Sequence, residues 1–277
     1  MSIHRANSYT RRLREERNFE STIDQKIEEL QNELIKYFSQ LNRKSSIETD
    51  NFQKFIFESL IDIPKQSSPF AFLNDIDADR EKKSLQEIFS LFKLNKENTN
   101  KKLDTYFKGY SDSINNYNTK GGSISIGDFS FLLGTRRIHS VVQEWNSLTQ
   151  KQQTINEPKN TFLDVINSLL QRKELIINER NELVVRTESG KIFSLINLSS
   201  GEKQLLIILG QSLLQESKTH IYIADEPELS LHVEWQEKLV SSLKKLNPNS
   251  QIIFATHSPD IVGGFSSSVI KIEEAIS

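Results

Sequence analysis

Asp225 and Glu226 are consecutive acids that close the apolar run Ile221-Tyr222-Ile223-Ala224. Adjacent carboxylates repel, and they are costly at a strand end unless a cation or a reacting water uses them. His257 follows a second apolar run, Gln251 to Ala255, within Ala255-Thr256-His257-Ser258-Pro259. A neutral imidazole both accepts and donates, which suits a group that steadies a water beside an acid. Upstream, Leu198-Ser199-Ser200-Gly201-Glu202 opens a stretch that is apolar all round, Leu205 to Leu209. A helix start there presents free N–H groups and a partial positive charge, which suits a phosphate. Ser199 adds a hydroxyl, and Gly201 lets a backbone approach closely. Each motif also has a structural reading. Ser199 with Glu202 spells a capping box that needs no nucleotide. Asp225-Glu226-Pro227 by itself reads as a capping turn, and a lone histidine as a structural one.

The elements that must position these residues have an α/β pattern. Short strands are expected at Glu174–Ile177, Leu183–Thr187 and Ile192–Leu195, with a turn at Glu188-Ser189-Gly190. After Gly201 come a buried helix, a strand His220–Ala224, an amphipathic helix marked by Trp235, Leu239, Val240 and Leu243, and a strand Gln251–Ala255. Ser258-Pro259 caps a further helix, and Val269–Ile272 reads as a last strand. Apolar strands alternating with helices imply a parallel sheet covered on both faces, with ligands at the carboxyl ends of its strands.

Residues 1–155 differ in texture from 160–277, being polar, rich in Lys, Glu and Asn, and helix-patterned. Helical candidates cover 49–61, 84–94, 97–117 and 136–152. Ile23, Ile27, Leu30, Leu34, Tyr37 and Leu41 form a 4-3-4-3-4 seam, read as one helix packed in a helical domain or as a short coiled coil. Arg5, Arg11, Arg12, Arg14 and Arg17 form a basic cluster that either meets phosphates or is a solvated helix face. Gly121-Gly122-Ser123 and Gly127 look like a turn and lack phosphate-loop spacing.

Charged residues make up 26% of the 277-residue chain and the net charge is −2, which does not fit a dedicated nucleic-acid binder. There is no cysteine, so neither a disulfide framework nor a thiolate zinc site is built. No apolar run approaches the ~20 residues of a membrane span. Met1 to Arg5 is polar and lacks a signal core, so the expectation is a soluble cytoplasmic protein without a membrane partner.

In order and spacing, the three motifs resemble the C-terminal lobe of an ABC-type ATPase head, as in SMC, RecF and OLD-like proteins of the AAA family. Pro227 to His232 and Glu234-Trp235-Gln236 extend the likeness to stand-alone bacterial defence ATPases, although Val233 stands where many relatives have proline. The fold class implied is α/β: a parallel-sheet P-loop NTPase lobe of ABC type over 160–277, preceded by a mainly α-helical insertion or lid over 1–155. The resemblance implies ATP and Mg²⁺ as cofactors. It assigns the metal to Asp225 as the Walker B acid, polarisation of the attacking water to Glu226, and the γ-phosphate switch to His257. Ser199, Ser200, Gly201 and Glu202 become the signature that meets nucleotide held by another protomer; Ser200 replaces the first glycine of the transporter version.

The chain contains no Gly-x-x-x-x-Gly-Lys-Ser/Thr. The expected partners are therefore a chain or segment supplying the Walker A lobe and a second head, in a homodimer or heterodimer. Relatives add nucleic acid or a nuclease or toxin effector. Three readings follow: an ATPase whose N-terminal lobe lies elsewhere, active in antiphage defence or a nucleic-acid-linked process; a non-catalytic module that lends its signature to a partner's ATP site; and a transport ATPase subunit. Ser200-Gly201-Glu202 and the long polar helical region fit the last poorly.

Overall fold

The computed structural model describes residues 3–61, 76–119 and 124–270, with side chains from residue 22 onward. The side chains of the N-terminal arginine cluster, the Gly121-Gly122-Ser123 turn and residues 271–277 lie outside the described residues. The chain divides into two units, residues 1–42 with 156–277, and residues 43–155.

The unit of residues 43–155 is helical. It takes in part of α1 (Ile3–Ser59), α2 (Ala78–Leu91), α3 (Lys96–Thr119) and part of α4 (Ile126–Leu169). Phe52, Leu85, Ile88, Leu103, Val142 and Leu148 form its core, with Trp145 packed at 5.4 Å from the Phe52 ring. The helical stretches anticipated from sequence overlap these elements; 49–61 and 84–94 overrun the ends of α1 and α2 by two and three residues, while the helices begin earlier than expected. α4 continues through Pro158, where a break would be expected from the missing N–H. Glu81 is buried and pairs with His139, a histidine to which the sequence assigned nothing.

The other unit carries the α/β elements. β1 (Lys173–Ile177), β2 (Leu183–Thr187) and β3 (Ile192–Ser194) form an antiparallel sheet in the order β1-β2-β3. The turn between β2 and β3 places Gly190 at φ 82°, a conformation that favours glycine. Then come α5 (Ser200–Leu214), β4 (Ile221–Asp225), α6 (Val233–Leu246), β5 (Gln251–Ala255) and the short α7 (Pro259–Val262). β4 and β5 are adjacent and parallel, with Ile223 opposite Ile253 and Asp225 opposite Ala255.

α5 is apolar on every side, so it needs cover all round. The α1 seam supplies part of it. Ile23, Ile27, Leu30, Leu34, Tyr37 and Leu41 are all buried. Leu30 sits so close to Gly210 that a Cβ there would meet its Cδ1 at 2.8 Å. Lys203 on α5 pairs with Asp24 at 2.6 Å. The seam thus packs within the α/β unit.

One sequence expectation does not hold. The parallel sheet is covered on one face only. Alternate residues of β4 and β5 point to opposite faces, and Ile221, Ile223 and Ile253 are 63%, 74% and 46% exposed. The alternate residues Tyr222, Ala224, Ile252 and Phe254 are half-buried on the other face. Of the strand expected at Val269–Ile272, residues 271 and 272 lie outside the described residues; Gly263–Ser268 forms a 3₁₀ turn, and Val269 and Ile270 have no regular structure. The Gly-Gly pair and three serines favour turn geometry over a ladder.

Candidate functional site

The carboxyl ends of β4 and β5 bring two of the sequence-selected groups together. The ladder runs one residue past β4, where the Glu226 amide donates to the Ala255 carbonyl at 2.8 Å. That bond turns the chain sharply, and Glu226 takes φ 45°. A non-glycine residue in this region costs about 1–3 kcal/mol and persists where its surroundings impose it. The result places Glu226 Oε1 3.5 Å from His257 Nε2. The His257 side chain is 97% exposed and that of Glu226 28%. The pair thus faces solvent, where a water or substrate has access to both.

Asp225 lies on the open face of the sheet, in line with Ile221 and Ile223. Its backbone belongs to the ladder, and its carboxylate makes no hydrogen bond or ion pair among the described residues. A free carboxylate at the end of a parallel strand fits a magnesium ligand, since Mg²⁺ usually takes one or two protein carboxylates plus substrate phosphates. No cluster of three His, Asp or Glu able to hold a metal by protein groups alone occurs among the described residues.

The loop after Glu226 is built around Glu228, a residue the motif reading passed over. Glu228 is buried. Its Oε1 accepts from the Thr256 hydroxyl and, at 3.3 Å, from the Ser258 amide. Its Oε2 is buried with no hydrogen-bond partner among the described residues, a cost of about 1–3 kcal/mol. Burial is the largest single influence and works to raise the carboxyl, but the Thr256 bond, its own amide, Glu226 and the Ser258 amide together outweigh it. The group is held below the usual carboxylate range. Nothing local marks Glu228 in the sequence, because its partners lie about 30 residues on, across the β4–β5 pairing.

The signature residues cap α5 as their types foretell. The Ser199 amide and hydroxyl donate to Glu202 Oε2 at 3.0 and 2.9 Å, and the Glu202 amide returns a bond to Ser199 Oγ at 3.4 Å. The capping box is therefore formed. Lys173, on β1, pairs with Glu202 Oε1 at 2.7 Å. Burial pushes the Glu202 carboxyl up, but Lys173 and Ser199 together hold it below the ordinary range. Ser199 and Ser200 are exposed, while Gly201 and Glu202 are buried.

Gly201 does meet a backbone closely, but the backbone is protein. A Cβ there would lie 2.3 Å from the Ser230 carbonyl oxygen, and only glycine fits. Ser230 itself takes φ 74°. The start of α5 and the Pro227–His232 loop are thus locked together, and Gln204 reaches the Pro227 carbonyl at 3.5 Å. Trp235, read as packing, hydrogen-bonds the Leu169 carbonyl at 2.9 Å.

Comparison with known proteins places the chain in a family. The family model described as "AAA domain, putative AbiEii toxin, Type IV TA system" matches residues 15–263. The chain is 29% identical over 201 residues to the "Retron Vc95 probable ATPase" of Vibrio cholerae serotype O1 biovar El Tor, covering 69% of this chain and 36% of that protein. It is 31% identical over 121 residues to the "Retron Ec83 probable ATPase" of Escherichia coli, covering 39% and 21%. It is also 30% identical over 95 residues to the "Septu protein PtuA" of Bacillus thuringiensis, covering 29% and 24%. The chain therefore spans about a third or less of the length of these curated relatives. Among the described residues no helix is long and apolar enough to cross a membrane.

Proposed function

We propose a function from one premise: this chain belongs to that AAA domain family, and so to the P-loop ATPases. It provides the hydrolytic half of an ATP site in a bacterial defence system. The observation that carries this reading is the 3.5 Å approach of His257 to Glu226 at the carboxyl ends of two adjacent parallel strands.

Glu226 accepts the proton of a water as that water attacks the terminal phosphate, the role of a general base placed at hydrogen-bond reach. His257 orients the carboxylate and the water from the other side. Asp225 would hold the metal, which would supply neutralisation of phosphate charge. The local residues fit that end of the site. They do not supply its other end. The chain has no Gly-x-x-x-x-Gly-Lys-Ser/Thr, and so lacks the backbone N–H nest and lysine that grip the β- and γ-phosphates.

A second lobe, on another chain or segment, completes the site. The uncovered isoleucines of β4 and β5, which share their face with Asp225, support this. The exposed Ser199 and Ser200 at the start of α5 support a two-fold pairing of heads, each lending its signature to the other's nucleotide. The work driven is defence against phage, through an effector on another chain, by analogy with the retron and Septu relatives.

Phosphate release from the purified chain with Mg²⁺ and ATP tests this. The chain alone releases phosphate no faster than Glu226→Gln. Adding a phosphate-loop lobe of a homologous head raises the rate at least about tenfold, and only with Glu226 intact. A Glu226-dependent rate from the chain alone would overturn the completion by a second lobe. No rate in either case would overturn the hydrolytic reading.

A further inference from the structure

We infer that Glu228 is a positioning residue that sets the Glu226–His257 pair, by tying the loop after β4 to the loop after β5. The inference rests on the hydrolytic reading of that pair but is tested without nucleotide.

Glu226 and His257 sit on two separate loops. Each follows a strand by one or two residues, and each strand ends exposed. The ladder fixes Glu226 through its amide on Ala255. It does not reach His257, the second residue beyond β5. What crosses between the loops at that level is the Glu228 carboxylate. One oxygen takes the hydroxyl of Thr256 and the amide of Ser258, the two neighbours of His257 in the chain. Thr256 Oγ1 also accepts from the Ser258 amide, at 3.0 Å. His257 is thus the apex of a three-residue arc whose two feet stand on Glu228. The side chain at the apex is left exposed and pointed at Glu226.

The cost of this arrangement argues against mere packing. A buried carboxylate with one oxygen unpartnered is a poor way to fill space. An apolar residue of similar size would fill it without that penalty but could not accept from Thr256 and Ser258. The Ser258 hydroxyl donates onward to Gln236 on α6 at 2.7 Å, and Gln236 bonds the Leu231 carbonyl at 3.0 Å. The arc is thereby also anchored to the far end of the Glu228 loop. A side chain of the loop carrying the base therefore fixes the backbone that carries the histidine.

The test reads the coupling directly. In the free chain of residues 1–277 labelled with ¹⁵N-histidine, at one pH well above the carboxylate range, Glu226→Gln shifts the His257 ring resonances. That shift should fall at least threefold when Glu228→Ala is also present, and also in a Thr256→Val background. It should persist in Glu228→Gln, which keeps an acceptor oxygen for both donors. The resonances of His139 and His220 report that the fold is intact. If Glu228→Ala does not fold, Thr256→Val decides, since it removes one foot of the arc and leaves Glu228 in place. An undiminished shift in the folded backgrounds would overturn the proposal, even if the variants melt earlier, because lowered stability alone leaves the coupling intact. Phosphate release plays no part in the readout, so the coupling stands or falls separately from the ATPase assignment.

Discussion

α5 and the β4–β5 pair are similarly apolar in sequence, yet the structure treats them in opposite ways. In α5, Leu205, Leu206, Leu209 and Leu213 are 0–2% exposed, with α1 laid along the helix. In the strands, Ile221, Ile223 and Ile253 stay open to solvent on the face that carries Asp225. Parallel sheets are ordinarily buried on both faces. The difference separates the residues that hold this chain together from those kept for another surface. The covered helix serves stability, and the open face is the surface on which the proposed second lobe would complete the site.

The largest effect lies on the covered side. Leu205→Ala leaves a cavity in a fully packed helix and should lower stability by about 2–5 kcal/mol, read by chemical denaturation. A loss well under 1 kcal/mol would mean that α5 is not the centre of this unit.

A smaller effect is expected where α5 meets the site, at Glu202. Its carboxylate links Ser199 and Lys173. Glu202→Gln should cost about 1–3 kcal/mol near neutral pH. The sign of the pH dependence follows from the lowered folded-state value. Ionised Glu202 stabilises the fold fully above the unfolded carboxylate range, about 4.3. That contribution fades as pH falls through the folded value. Thermal melts of wild type and Glu202→Gln should therefore converge on acidification. A gap that holds constant would remove the ion pair from the account.

Much of this was legible in the sequence, because it is local. The capping box, the strand ends, the Glu188-Ser189-Gly190 turn and the burial of α5 all follow from residues within a few positions of one another. What was not legible is long-range. Residues 23–41 give a seam but not its partner, and Lys203–Asp24 joins positions 179 apart. Glu228 takes its role from Thr256 and Ser258 across the sheet. Gly201 was read as room for a phosphate, whereas its hydrogen stands against the Ser230 carbonyl. Ile223 and Ile253 read as buried because apolar strands usually are; nothing in the residue types says which face stays open.

The smallest effect on this chain alone is expected on the open face, and there the same substitution separates stability from assembly. Ile223→Lys should change the stability of the isolated chain by no more than about 0.5 kcal/mol, since the side chain is already in water. The same change should abolish the Glu226-dependent phosphate release gained when a phosphate-loop lobe is supplied in trans, because it places a charge on the surface the lobe must cover. Full restored rate with Ile223→Lys would contradict the account, and the open face of β4 and β5 would then have no part in building the site.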